Sequence, residues 1–307
     1  MQLYPLRMIS DDTSFPFMRI RKFSFAFSIF LSILSLFATY VYGVNFGIDF
    51  TGGIVIEARS NEPLDLGVMR SALLKLDIGD VSIQTLENDK NIMIRVGCSS
   101  TNSDISKTTS SIKLALKNVS KNELEFRKID FVGPQVGYGL ILSGVKALLL
   151  CFIAVMIYVW FRFEWQFGVG VLVALIHDAI ITFGFIAITQ LDFSLSSIAA
   201  ILTVIGYSVN DSVVIYDRIR ENLRRYSKKN IESIIDLSTN ETLSRTTMTV
   251  FTTLIANLAL IIWGGSELKS FSMTVFFGIL AGTYSSIFIS APILKLLGLG
   301  SLTKGSI

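Results

Sequence analysis

SLSSIAAILTVIGYSVNDSVVIYDRIREN, residues 194–222, is apolar or uncharged from Ser194 to Tyr216 apart from a single carboxylate, Asp211, and turns charged at Asp217. A helix needs on the order of 20 predominantly apolar residues, at ~1.5 Å rise each, to cross a bilayer. Ser194–Tyr216 therefore reads as a transmembrane helix, and Asp211 as a carboxylate placed where burial costs a few kcal/mol unless a partner or water meets it. Five further runs meet the same length test: Phe23–Val44, Leu140–Trp160, Phe167–Ile188, Thr246–Trp263 and Phe271–Leu297. The expected fold class is thus an α-helical polytopic membrane protein with six transmembrane helices.

Composition agrees. The 307 residues are 51% hydrophobic, with a mean hydropathy of +0.59, more than a chain of this length covered by water would carry. Lys and Arg number 27 against 24 Asp and Glu, a net +3 that gives no electrostatic footprint for nucleic acid. Cys98 lies in a polar segment and Cys151 in an apolar run, so a disulfide between them is not expected. The first apolar run has a basic flank, yet it is too long for a signal h-region and lacks a small-x-small exit, so it reads as a retained span.

Orientation follows from Lys and Arg in the short links. Arg19, Arg21 and Lys22 precede the first span, Arg162 lies between the second and third, and Arg218, Arg220, Arg224, Arg225, Lys228 and Lys229 crowd the link between the fourth and fifth. These links should be cytoplasmic, with both termini on that side. The alternate links, 189–193 and 264–270, hold only Lys269 as a basic residue. The expected organisation is a cytoplasmic N-terminus (1–22), a first span (23–44), an exported domain (45–139), a five-helix membrane region (140–297) with a cytoplasmic loop (217–245), and a cytoplasmic tail (298–307).

The exported segment alternates two periods. Residues 54–59, 81–86, 91–96 and 124–131 have strand-like patterns, and Asn88–Asn91 reads as a turn. Residues 65–76 (Leu66, Met69, Leu73, Leu76) and 105–119 have helical spacing. The order βαββαβ predicts a small α+β, ferredoxin-like domain with four strands and two helices on one face.

Ionisable residues within spans mark function by default. Asp178 lies mid-way along the third span beside His177, the chain's sole histidine. The pair could relay protons or could simply orient two helices by hydrogen bonding. Asp211 has Ser208, Asn210 and Ser212 beside it, and Arg245, which opens the fifth span, can snorkel to a similar depth. Thr246, Thr249, Thr253 and Asn257 then follow on one helix face. Such a stripe can line a wet path, or its threonines can satisfy themselves on their own backbone. Gly278, Gly282, Ser286 and Ser290 recur every four residues in the last span, a pattern for close helix packing. The basic run from Arg218 to Lys229 is mainly a topology determinant, with lipid or partner contact open. No phosphate-binding loop, metal-ligand cluster or nucleophile–base arrangement is legible, so no catalytic residue, metal or cofactor is expected.

Several strings resemble the SecD/SecF family of bacterial protein-export subunits, within the resistance-nodulation-division superfamily. They are FGIDFTGG (46–53), FVGPQVG (131–137), FRFEW (161–165), ALIHD (174–178), IGYSVNDSVVIYDRIREN (205–222) and SRT (244–246). The resemblance implies protein translocation: a subunit of the inner membrane that pairs with SecD, associates with the SecYEG channel and uses the proton-motive force in late steps of polypeptide export. Its partners would be SecD, SecYEG, the translocating polypeptide, the lipid bilayer and protons, with no nucleic acid. It further implies that Asp211 is the proton-linked carboxylate and Arg245 its neighbour, with His177, Asp178, Asn210, Thr249, Thr253 and Asn257 as pathway candidates. Gly47, Asp49, Gly52 and Gly53 match the family signature that opens the exported domain, where glycines suit a tight backbone path. With one set of six spans, a partner is expected to complete the proton path. The competing expectations are a proton-driven small-solute exporter of the same superfamily and a passive scaffold subunit.

Overall fold

The computed structural model describes residues 13–62, 64–76, 78, 81–86, 90–97, 105–120, 124–226 and 228–299. Cys98, Ser227 and the first half of the expected Asn88–Asn91 turn, Asn88 and Asp89, lie outside the described residues. The chain divides into two compact units, one made of residues 46–146 with 192–195, the other of the remaining helical segments.

The smaller unit contains the expected βαββαβ order. Strand β1 (Gly53–Ser60) is followed by α3 (Leu66–Leu74), β2 (Val81–Leu86), β3 (Asn91–Val96), α4 (Ile105–Val119) and β4 (Leu124–Val132). The sheet runs β2-β3-β1-β4 with every pairing antiparallel, as a split-βαβ topology requires. Alternation along β1 and β3 sends Ile54, Ile56, Ala58, Ile92, Ile94 and Val96 to one face, where they bury against Met69 and Leu73 of α3 and Ile112 and Leu116 of α4. Asp65 starts α3 by accepting the N–H groups of Gly67 and Val68 at 2.9 and 3.2 Å. A register shift between Glu57 and Ala58 restores the apolar face of β4 after Arg127, so that Ile56 pairs with Ile129 and Ile54 with Phe131.

Before the sheet, Ile48–Thr51 forms one helical turn, α2, after the first long helix α1 (Phe17–Tyr42). Gly52 ends that turn at φ 71°, and Gly53 begins β1 at φ 127°. A Cβ on Gly53 would lie 2.4 Å from the carbonyl oxygen of Val96, and one on Gly137 would lie 2.4 Å from that of Phe50. Asp49 Oδ2 accepts the Leu195 N–H at 2.9 Å, and the Gly47 N–H donates to Phe193 O at 2.8 Å. The glycine-rich signature is therefore a backbone crossing, closed by hydrogen bonds to residues 193–195.

The larger unit is built from long helices. Among the described residues, six are long and apolar enough to span a bilayer: Phe17–Tyr42, Gly137–Arg162, Trp165–Thr189, Leu195–Arg225, Ile231–Trp263 and Leu268–Leu296. The second is the apolar part of α5 (Pro134–Arg162), and the next three are α6, α7 and α8. The last comprises most of α9 (Gly265–Ser285), a π-helical stretch (Ser286–Ser290) and α10 (Ala291–Leu296). The expected fold class of six membrane helices and a small α+β domain is borne out.

Small residues face inward. Ser24, Ser28, Ser35 and Ala38 of α1 are buried, whereas Phe23, Phe30, Phe37 and Tyr40 are exposed. A Cβ on Gly184 of α6 would meet Ser35 Cβ at 2.3 Å, and one on Gly278 of α9 would meet Val204 Cγ2 at 2.2 Å. This is membrane packing logic: association comes from close backbone approach, because lipid is as apolar as the bulky side chains.

Two features depart from the sequence reading. Residues 217–245, expected as a loop, are mostly the continuations of α7 (Leu195–Arg225) and α8 (Ile231–Trp263), paired through Arg218–Glu241 at 2.7 Å and Asn222–Ser238 at 3.0 Å. Asp236 of this extension caps α1 by accepting the Met18 N–H at 2.8 Å, and Glu232 pairs with Arg21 at 2.8 Å and with Lys295. Second, Pro292 has no N–H to return to the preceding turn, and just before it the helix widens: the Ala291 N–H bonds Ser286 O, five residues back.

Candidate functional site

Asp178 sits on α6, where that helix meets α7 and α9, and it is fully buried. Its Oδ2 accepts from Ser208 Oγ of α7 and Ser285 Oγ of α9, both at 2.7 Å, and its Oδ1 is 3.1 Å from His177 Nδ1. Gly282 admits this convergence, since a Cβ there would lie 3.0 Å from Ser208 Cβ and 3.6 Å from Asp178 Oδ2. Each carboxylate oxygen thus has a partner, and the side chain ties three helices together. His177 is also buried, its Nε2 has no partner among the described residues, and its ring lies 6.2 Å from that of Tyr284.

Asp211, three residues beyond Ser208, is the opposite case. It is 2% exposed, yet its Oδ2 has no hydrogen-bond partner among the described residues. Tyr207 Oη, one turn earlier on the same face, and Ser212 Oγ are likewise buried and unpartnered. Arg245 of α8 is exposed and forms no ion pair with Asp211.

The other candidates separate. Thr249 Oγ1 donates to Arg245 O and Thr246 O at 3.2 and 2.9 Å, and Thr253 Oγ1 donates to Thr249 O at 2.8 Å, so these hydroxyls are satisfied on their own helix. Thr246 and Asn257 are buried on the same helix, and Asn257 Oδ1 is unpartnered. Asn210 is exposed, unlike its neighbour Asp211. Gly47, Asp49, Gly52 and Gly53 belong to the α+β unit.

Sequence reasoning placed Ser208 beside Asp211 and did not find Ser285. The signal is indirect: a buried carboxylate on α6 demands donors, and Ser285 is one position off the four-residue stripe of Gly278, Gly282, Ser286 and Ser290. Tyr216 was also missed. It is fully buried, donates to Ser290 O at 3.1 Å and accepts from Ser290 Oγ at 2.6 Å, binding α7 to the π-helical stretch.

Residues 111–299 match the family described as protein export membrane protein SecD/SecF, C-terminal, and residues 37–63 match the SecD/SecF GG motif. The protein translocase subunit SecF of Rickettsia typhi is 58% identical over 296 residues, covering 96% of each chain. The chain belongs to the SecD/SecF family. The corresponding subunit of Rickettsia felis is 57% identical, with the same 96% coverage on both sides. Among solved SecD/SecF structures, the crystal structure of SecDF from Thermus thermophilus, described as a translocon-associated membrane protein, matches with a TM-score of 0.86 at 32% identity. It is matched over 94% of this chain and 39% of its own. A SecDF crystal structure in a super-membrane-facing form matches with a TM-score of 0.71 at 31% identity, over 98% and 41%. The chain therefore spans about two fifths of the SecDF chains it resembles.

Proposed function

We propose that this multi-pass membrane protein acts as the SecF-type half of a protein-export machine in the bacterial inner membrane, with both termini cytoplasmic. It pairs with SecD, associates with SecYEG, and uses the proton-motive force to promote late steps of polypeptide translocation. The α+β domain is then exported and braces the emerging polypeptide. The named relatives are protein translocase subunits, and the length of the SecDF chains supports a SecD-type partner for the remainder.

The observation that carries the coupling reading is the contrast between the two intramembrane aspartates. Asp178 is held by three side chains, whereas Asp211 is buried with an oxygen unmet. A proton carrier needs a carboxylate that can be solvated, charged and neutralised in turn, and Asp211 is the one left free to do so. Movement of α8 relative to α7 would change the field of Arg245 at Asp211, and so its hold on a proton. Alternating access to either side would let the gradient bias one conformation over another.

Asp211→Asn keeps size and hydrogen bonding and removes titration. In vesicles carrying the assembled complex it should abolish gradient-stimulated export while membrane insertion and SecD association persist. Arg245→Met should impair coupling as well, and Lys229→Met should not. Normal proton-dependent export by Asp211→Asn would reduce the chain to a scaffold.

A further inference from the structure

A cleft of about 590 Å³ opens where α5 ends, lined by Arg162, Asp217, Arg220, Glu221, Arg224 and Arg225. Four guanidinium groups face two carboxylates, and both carboxylates are already engaged. Asp217 accepts from Arg162 at 2.8 Å, and Glu221 accepts from Arg218, outside the lining, at 2.6 Å. Arg220 Nη1 donates to Arg162 O at 3.2 Å, which fixes the fork, while its Nε is buried with no acceptor among the described residues. Arg224 is exposed and forms no ion pair among the described residues. Arg225 stands 5.4 Å from the centre of the Tyr226 ring.

The depth of this cleft is marked by aromatics. Trp160 and Phe161 before Arg162, and Trp165 after it, are exposed by 68%, 90% and 55%. Exposed tryptophans at a helix–helix corner of a spanning bundle sit at headgroup level. Setting membrane orientation would need only the arginines' charge. It would not need a cleft in which one guanidinium is pinned by a backbone carbonyl while the neighbouring Arg224 stands free of any ion pair among the described residues.

We infer that the cleft binds the phosphate of an anionic phospholipid headgroup, with Arg220 and Arg224 as its principal donors. Guanidinium forks match phosphate oxygens two at a time, and basic pockets between spanning helices take anionic headgroups. The same chemistry would fit free phosphate, which lacks the acyl chains that the surrounding aromatics would meet.

The test is native mass spectrometry of the full chain, purified with its partner subunit, after addition of phosphatidylglycerol or phosphatidylcholine of identical acyl chains. Phosphatidylglycerol should be retained on the order of tenfold more. Arg220→Gln with Arg224→Gln should bring retention to the phosphatidylcholine level, and Arg19→Gln, in the other basic flank, should leave it unchanged. Arg224→Gln alone, at an exposed position, should lower retention severalfold and serves if the double variant fails to fold. Equal retention of the two lipids, or undiminished retention by the variants, overturns the assignment. Displacement of phosphatidylglycerol by millimolar inorganic phosphate would reassign the cleft to a free anion.

Discussion

Two aspartates of identical chemistry occupy adjoining helices in opposite states of satisfaction. Removing Asp178 would strand the Ser208 hydroxyl and leave Ser285 only the Gly282 carbonyl of its own helix, at 3.1 Å, at a three-helix junction. Asp178→Ala should therefore lower the stability of the folded chain by on the order of 2 kcal/mol or more, read by denaturant titration in detergent. Asp211→Asn should leave that stability unchanged or raise it, because it removes a carboxylate whose Oδ2 has no partner. Equal losses at both sites would contradict the division of labour. Sequence alone located both residues, since a charge inside an apolar run stands out. It set Asp211 ahead of Asp178 as the proton-linked carboxylate, but what holds Asp178 includes Ser285, a residue 107 positions away that no local window contains.

At the scale of elements, the hydropathy and period-two patterns carried the reading. Six apolar runs became six helices, and four alternating stretches became the four strands. Helix ends were less legible, because hydropathy marks where lipid stops and not where the backbone ladder stops. The charged residues beyond Tyr216 and before Arg245 continue as helix on Arg218–Glu241 and Asn222–Ser238 pairing, which no local window contains. Asp236→Ala should cost about 1 kcal/mol by uncapping α1, seen as earlier unfolding in the same titration. The glycine pair separates by mechanism. Gly52→Ala must hold an alanine at φ 71° and should cost about 1 kcal/mol, whereas Gly53→Ala drives a Cβ into the Val96 carbonyl and should cost about 2–4 kcal/mol. Protease resistance of the α+β domain in the full chain would order the two; similar resistance would refute the steric argument.

For the whole molecule, the proposed topology puts the α+β domain outside and the α7–α8 hairpin inside. Cysteines introduced at Asn88 or Asn118 should be labelled by an impermeant reagent from the outer side of intact cells, and one at Ser227 should be spared. The reversed pattern would invert the topology. Loop charge was enough to make this expectation, but not to say what surrounds each helix. That depends on which residues are small, and on α1 Ser24, Ser28, Ser35 and Ala38 lie inside while Phe23, Phe27, Phe30, Phe37 and Tyr40 lie outside.

Asn210 is exposed beside buried Asp211 on a spanning helix. Hydrocarbon is a poor solvent for an amide, so if the proposed SecD partner covers this face, a chain made without it would present Asn210 as a visible defect to membrane quality control. The lifetime of the subunit should then be set by the supply of its partner. In a pulse-chase, depletion of SecD should shorten its half-life, and Asn210→Leu should lengthen it again even though nothing about export has been restored.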